Sequence, residues 1–276
     1  MKTAYINGEY FKTPSISPFD LGFLRGYGVF EHFRTYEKHP AFLSKRLHRL
    51  LKAATAIEIK LSHTLQEIED IVYHLIEHND FIESTIRIIV TKGITEDGLT
   101  PIRESSLIIL TKPYSPFPAN YYKNGIHALT TVHNRLFPEV KILNYLPAMT
   151  LLEGAREKGA QEVLYCNAQG EILEGTTCNF FAIKGDKLLT AKEGILPGIT
   201  RDILLEKCAN HFDIELRPLN LDELSEVDEA FTTSSIKEIV PLVAIDARPI
   251  GTGQPGPKTQ QCRELFRNAF LELTLD

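Results

Sequence analysis

Cysteine is scarce in this chain, long apolar runs are missing and positive charge is in deficit, and each shortage removes a class of function. The four cysteines, Cys166, Cys178, Cys208 and Cys262, form no CxxC pair and follow no regular spacing. That pattern speaks against a disulfide framework and a zinc site, and it predicts a reducing, cytoplasmic setting. No stretch approaches the roughly 18 consecutive apolar residues of a membrane span, and the opening MKTAYINGEYF turns polar at once, so neither a span nor a secretion signal is predicted. The formal net charge of -6 disfavours nucleic acid and anionic membrane as partners, because both reward a basic surface. Small soluble molecules fit better.

What is present is an ordinary globular composition: 276 residues, 43% of them hydrophobic, enough for two cores. The chain opens on a hairpin signal, with Asn7-Gly8 between Tyr5-Ile6 and Glu9-Tyr10-Phe11. Apolar residues recur at helical spacing over 44–57 (Leu47, Leu50, Leu51, Ala54, Ile57) and 64–78 (Leu65, Ile68, Val72, Leu75). Strands are predicted at 84–91 and 105–111; in the first, alternation sets Arg87 on the face opposite Ile86, Ile88 and Val90. Residues 112–125 (KPYSPFPANYYKNG) read as an interdomain connection, which predicts a smaller α+β domain at 1–115, a linker at 116–124 and a larger α+β domain at 125–276. In the second half, strands (126–132, 162–166, 179–183, 230–233) and helices (146–158, 200–211, 259–273) interleave without a βαβ rhythm, so the class is α+β.

The run RLFPEVKILNYLPAM places Lys141 in apolar surroundings, which favour a neutral amine able to attack a carbonyl and form a Schiff base. Taken alone, such a lysine more often snorkels to water. Glu174, in ILEGTTCNFFAI, sits at a strand end where a carboxylate can keep a pyridine nitrogen protonated. The helix start in LPGITRDILLEK and the Ser234-Ser235 turn in FTTSSIKEI, with Glu238 at capping-box spacing from Ser235, are candidate anion sites, although plain capping is the commoner use of each. Arg49, on RLHRLLKAA, could pair with a phosphate or simply be solvated. Gly251, Gly253 and Gly256 match GxGxxG, but Pro255 and Pro257 bracket the last glycine. A turn between two strands is therefore expected there, and not a dinucleotide-binding module.

In their order, FLRGYGVFEHFR, RLHRLLKAA, KILNYL, EGTTCNFF, LPGITR, FTTSSIKEI and IDARPIGTGQPGPKT resemble the class IV aminotransferases over nearly the whole chain. That family comprises pyridoxal-phosphate enzymes of fold type IV, among them branched-chain and D-amino-acid aminotransferases and aminodeoxychorismate lyase. The resemblance implies a two-domain α+β fold type IV with pyridoxal 5'-phosphate in the cleft between domains, and a homodimer. It implies Lys141 as the Schiff-base lysine and proton shuttle, Glu174 as partner of the pyridine nitrogen, and Arg49, Ile199, Thr200, Ser234 and Ser235 around the phosphate.

Substrate choice would fall to Arg25, Phe30 and Arg87. Arg87 matches an arginine of branched-chain enzymes, and the loop holding Arg25 reaches the neighbouring subunit's site in the family; pairing of Arg25 with a carboxylate such as Glu31 is an equal alternative. Phe30 stands where typical D-amino-acid enzymes have tyrosine, and Thr85 where branched-chain enzymes have tyrosine. Two arginines suit a dicarboxylate, because each can grip one carboxylate in bidentate fashion. The expectation is thus an atypical D-amino-acid aminotransferase acting on an amino acid such as D-glutamate or D-alanine, with a branched-chain aminotransferase and aminodeoxychorismate lyase as alternatives and a dinucleotide-binding module as a remote one.

Overall fold

The computed structural model describes residues 3–273. It divides into two units, Met1–Ser115 with Val140–Tyr145, and Pro116–Glu139 with Leu146–Asp276.

In the first unit the elements are β1 (Ala4–Ile6), β2 (Glu9–Phe11), α1 (Leu21–Arg25), β3 (Gly28–Tyr36), β4 (His39–Pro40), α2 (Leu43–Ala56), α3 (Leu65–Asn79), β5 (Ser84–Thr91) and β6 (Ser106–Pro113). The strands form one antiparallel sheet in the order β2-β1-β6-β5-β3-β4. Asn7 and Gly8 take φ values of 46° and 100°, the positive angles that the tight β1–β2 turn demands. Thr64 starts α3 with a capping box to Glu67. Period-2 alternation then sorts the sheet's faces. Val29 and Phe33 of β3 and Ile86, Ile88 and Val90 of β5 pack with Leu47 and Leu50 of α2 and Ile68, Val72 and Leu75 of α3. Each such side chain contributes about 1.5–3 kcal/mol by leaving water. The opposite face carries Phe30, His32 and Arg87.

The second unit contains α4 (Ala119–Asn124), β7 (Ile126–Val132), α5 (Leu146–Glu157), β8 (Glu162–Cys166), β9 (Glu171–Gly175), β10 (Asn179–Lys184), β11 (Lys187–Thr190), α6 (Ile199–Cys208), β12 (Asp213–Leu216), β13 (Leu219–Asn220), β14 (Glu229–Ser234), β15 (Glu238–Ile245), β16 (Arg248–Pro249) and α7 (Pro257–Leu273). Strand pairing runs β12-β11-β10-β14-β15-β7-β8-β9-β13, with β16 on β15. A further pairing, Glu174 with Asn179, joins β9 back to β10 and closes β10, β14, β15, β7, β8 and β9 into a ring. The β15–β7, β7–β8 and β11–β12 pairs are parallel and the others antiparallel, which accounts for the missing βαβ rhythm. Helices α6 and α7 pack on each other and on β14. The four cysteines are free and buried. Among the described residues no helix is long and apolar enough to cross a membrane.

Three expectations are corrected. Residues 116–124 are not a bare linker: they include α4, which packs on β15, and Phe117, Tyr121 and Tyr122 lie against the second unit's core. Half-buried aromatics beside and after the prolines bind this stretch to one side. Residues 140–145 leave the second unit for the first, because Phe30 N–H donates to the Lys141 carbonyl at 3.0 Å and Leu143 N–H to the Gly28 carbonyl at 2.9 Å. Lys141 is thus held by the smaller of the predicted domains. Finally, Gly251–Gly256 leads from β16 into α7 and does not join two strands.

Candidate functional site

In the first unit, Lys141 is placed by backbone pairing with β3, which requires a close approach at Gly28. A Cβ there would lie 2.6 Å from both Leu143 Cδ1 and the Val90 carbonyl oxygen. The Lys141 amine donates to the Tyr145 hydroxyl at 3.3 Å and stands 4.7 Å from the centroid of the Phe30 ring. Phe30 and Tyr145 meet edge to face at 5.3 Å. The Arg87 guanidinium carbon lies 5.5 Å from the Phe30 centroid, so one aromatic ring faces two cations. His32, two residues beyond Phe30 on β3, is the cross-strand partner of Arg87. Burial, reinforced by Arg87, Lys141, Arg46 and Lys112, pushes the His32 imidazole down to about 3, so the ring is neutral near pH 7.

The other face of β3 turns Glu31 toward α2. Its carboxylate accepts from Arg49 Nε at 2.7 Å and Nη2 at 2.8 Å, while Arg46 Nη1 is 3.8 Å away. Arg49 is therefore fixed in a bidentate pair and is no solvated surface cation. The same pair answers the question of Glu31, whose partners are these arginines and not Arg25. Arg25 is exposed in the last turn of α1, where it donates to the carbonyls of Gly98 and Leu24.

In the second unit, Glu174 is buried, and its carboxylate is bound on both oxygens. Arg135 Nη1 donates to Oε1 at 2.5 Å; the Leu196 N–H donates to Oε2 at 3.0 Å, with Asn179 Nδ2 at 3.4 Å. Asn179 also donates to the Leu196 carbonyl at 2.8 Å, so it ties the end of β9 to the turn before α6. That turn needs glycine: a Cβ on Gly198 would fall 2.0 Å from Asn179 Oδ1.

Helix α6 starts at Ile199 with Gly198 as N-cap and no side-chain cap bond. Its first N–H groups and the positive end of the helix dipole make an anion site. Thr200 Oγ1 and Thr233 Oγ1 are both buried without a hydrogen-bond partner among the described residues. A buried hydroxyl left unsatisfied costs about 1–3 kcal/mol, which a ligand that accepts its proton would recover. Ser234 and Ser235 follow Thr233 at the β14–β15 turn, where Ser234 Oγ accepts from the Lys237 N–H at 3.3 Å. No helix starts there, so Glu238 is not a capping residue; it opens β15 at φ 57° and accepts from Arg267. An uncapped helix start and two unpartnered hydroxyls fit a phosphate dianion, and a fixed buried carboxylate fits a protonated ring nitrogen. The residues present therefore fit pyridoxal phosphate.

Several contributors escaped the sequence reading: His32, Tyr145, Arg135, Asn179 and Thr233. Tyr145, four residues after Lys141, and Asn179, in EGTTCNFF, lie inside the stretches already singled out. Their roles appear only when strand and turn are brought together.

The profile of the family Amino-transferase class IV matches residues 28–245. A Methanocaldococcus jannaschii protein named "Putative branched-chain-amino-acid aminotransferase" is 34% identical over 275 residues, covering 96% of this chain and 95% of that protein. D-alanine aminotransferase of Staphylococcus aureus is 30% identical over 278 residues, covering 96% and 97%. The crystal structure of the Escherichia coli branched-chain amino acid aminotransferase is similar with a TM-score of 0.90 and 25% identity, over 97% of this chain and 94% of that one.

Proposed function

This chain belongs to the class IV aminotransferases, pyridoxal-phosphate enzymes that move amino groups between amino acids and 2-keto acids, and on that premise we propose that its amino donor is a D-amino acid such as D-glutamate or D-alanine. The observation that carries the choice is the cationic face of the first unit, where Arg87 and Lys141 flank Phe30. A guanidinium beside the amine suits a carboxylate, and a dicarboxylic substrate can spare a second one for it. Similarity at 30% identity to a D-alanine aminotransferase supports the D configuration. The relative at 34% identity favours a second reading, a branched-chain aminotransferase.

When bound, pyridoxal phosphate supplies an electron sink that stabilises negative charge at the substrate Cα. Lys141 would hold the cofactor by its aldehyde carbon and, as a free amine, would serve as the acid and base that moves the proton at the substrate Cα. The Tyr145 hydroxyl orients that amine. Glu174, fixed by Arg135, Asn179 and the Leu196 N–H, would keep the pyridine nitrogen protonated. The N–H groups of Ile199 and Thr200, the Thr200 hydroxyl, Ser234, Ser235 and the oriented guanidinium of Arg49 would receive the phosphate. We assign the protein a cytoplasmic homodimer in which Arg25 serves the neighbouring subunit's site; four free, buried cysteines and the exposure of Arg25 support this.

The test is spectroscopic. The reconstituted enzyme should show a visible absorption that borohydride abolishes, and Lys141→Ala should lose both that band and turnover; retention of full turnover would overturn the assignment of Lys141. Half-reactions with D-glutamate, D-alanine, L-leucine and aminodeoxychorismate then separate the readings. Conversion by L-leucine alone makes the enzyme a branched-chain aminotransferase, and release of pyruvate from aminodeoxychorismate makes it a lyase.

A further inference from the structure

His32 stands on the Lys141 face of β3 with no part in the chemistry described so far. Its Nδ1 lies 3.5 Å from Arg87 Nη2, across a register pair that sets the two side chains opposite each other. A guanidinium can only donate, so Nδ1 is the acceptor and the ring proton sits on Nε2. Among the described residues no carboxylate lies within ion-pair distance of Arg87; its neighbours are the His32 ring, the Phe30 ring and the Lys141 amine beyond it. The charges that act on His32 from the packed elements are Arg87 on β5, Lys112 on β6, Arg46 on α2 and Lys141. All are cations. An acid at position 32 would hold Arg87 but cancel its charge, and an aliphatic residue would leave its long side chain free to rotate. A neutral acceptor does neither.

We propose that His32 is a positioning residue that holds the Arg87 guanidinium above Phe30 with its charge uncompensated, so that Arg87 receives the second carboxylate of a dicarboxylic substrate. The proposal rests on the reading that Arg87 is a substrate ligand, and it adds the reason this chain would prefer dicarboxylates to monocarboxylates. Orienting the guanidinium before substrate arrives removes side-chain ordering from the cost of binding, which appears in KM for the dicarboxylate.

The test uses holoenzyme carrying no substitution, His32→Leu, His32→Gln or Arg87→Leu, each checked for an unaltered cofactor absorption band. The half-reaction is followed with glutamate and alanine, in the enantiomer that the unsubstituted enzyme accepts, and the ratio of the two kcat/KM values is compared. The ratio of glutamate to alanine should fall about tenfold or more in His32→Leu, mainly through KM for glutamate, and His32→Gln should restore most of it because its amide oxygen replaces the Nδ1 acceptor. An unchanged ratio in His32→Leu, or a His32→Gln variant as impaired as His32→Leu, overturns the proposal. If Arg87→Leu lowers the ratio while His32→Leu does not, His32 fails and Arg87 stands as ligand; if Arg87→Leu leaves the ratio unmoved, the reading of Arg87 falls and takes the proposal with it.

Discussion

Two helices of the second unit begin beside a glycine-proline pair, and they treat the same electrostatic opportunity in opposite ways. Helix α6 starts after Pro197-Gly198, and among the described residues it has no side-chain cap and the buried Thr200 hydroxyl in its first turn has no hydrogen-bond partner. Helix α7 starts at Gly256-Pro257, and the Glu229 carboxylate accepts from the N–H groups of Lys258 at 3.0 Å and Thr259 at 2.6 Å. One N-terminus has no side-chain cap among the described residues, whereas the other is capped by an anion of the chain itself. The glycines are needed for opposite partners: a Cβ on Gly198 would strike Asn179, and a Cβ on Gly256 would lie 2.1 Å from Glu229 Cδ. A filled helix start also argues against a dinucleotide at the GxGxxG match. Although the turn does open into a helix, a pyrophosphate would meet a carboxylate where it needs N–H groups.

Substitutions can break this contrast from either side. The largest effect is expected at the filled end: Glu229→Ala leaves the buried Thr259 donor and the half-buried Lys258 donor unpaired and should lower stability by about 3 kcal/mol, read by denaturant unfolding of the apoenzyme. Next comes Gly198→Ala, which drives Asn179 from its bonds to Glu174 and the Leu196 carbonyl. It should weaken cofactor binding by about 2 kcal/mol, some thirtyfold, in an absorbance titration. Smallest is Thr200→Val, which exchanges an unsatisfied hydroxyl for a methyl of like size. Apoenzyme stability should stay level or rise by about 1 kcal/mol while affinity for the cofactor falls about tenfold, and a variant that bound the cofactor as tightly as before would place the phosphate elsewhere.

Much of this could be read in the sequence because local rules and tertiary demands agreed. The alternation of β5 set Arg87 opposite the aliphatic face, the 3.6-residue spacing located α2 and α3, and the Pro-Gly before Ile199 marked an anion-ready helix. Misreadings came where a short stretch is claimed by distant partners. Residues 116–124 looked like a linker by composition, yet aromatic burial draws them into the second unit. Ser235 and Glu238 had the spacing of a helix cap, but the strand pairing of Ser234 with Glu238 makes the segment a hairpin. Spacing along the chain cannot distinguish these outcomes, since turns and caps use the same polar residues.

By itself the sequence determined the α+β class and the set of motifs that identify the family, and it singled out Lys141 as the amine proposed to hold the cofactor, because each rests on residue type and order within a short window. Tertiary structure alone decided that Lys141 is held by β3 of the first unit, that Arg49 is committed to Glu31, that Arg135 and Asn179 fix Glu174, and that His32 faces Arg87. The physical reason is the same in each case. Apart from Asn179, five residues from Glu174, these are pairings between residues far apart in the chain, fixed by strand register and side-chain direction, and no local pattern encodes which partner will arrive.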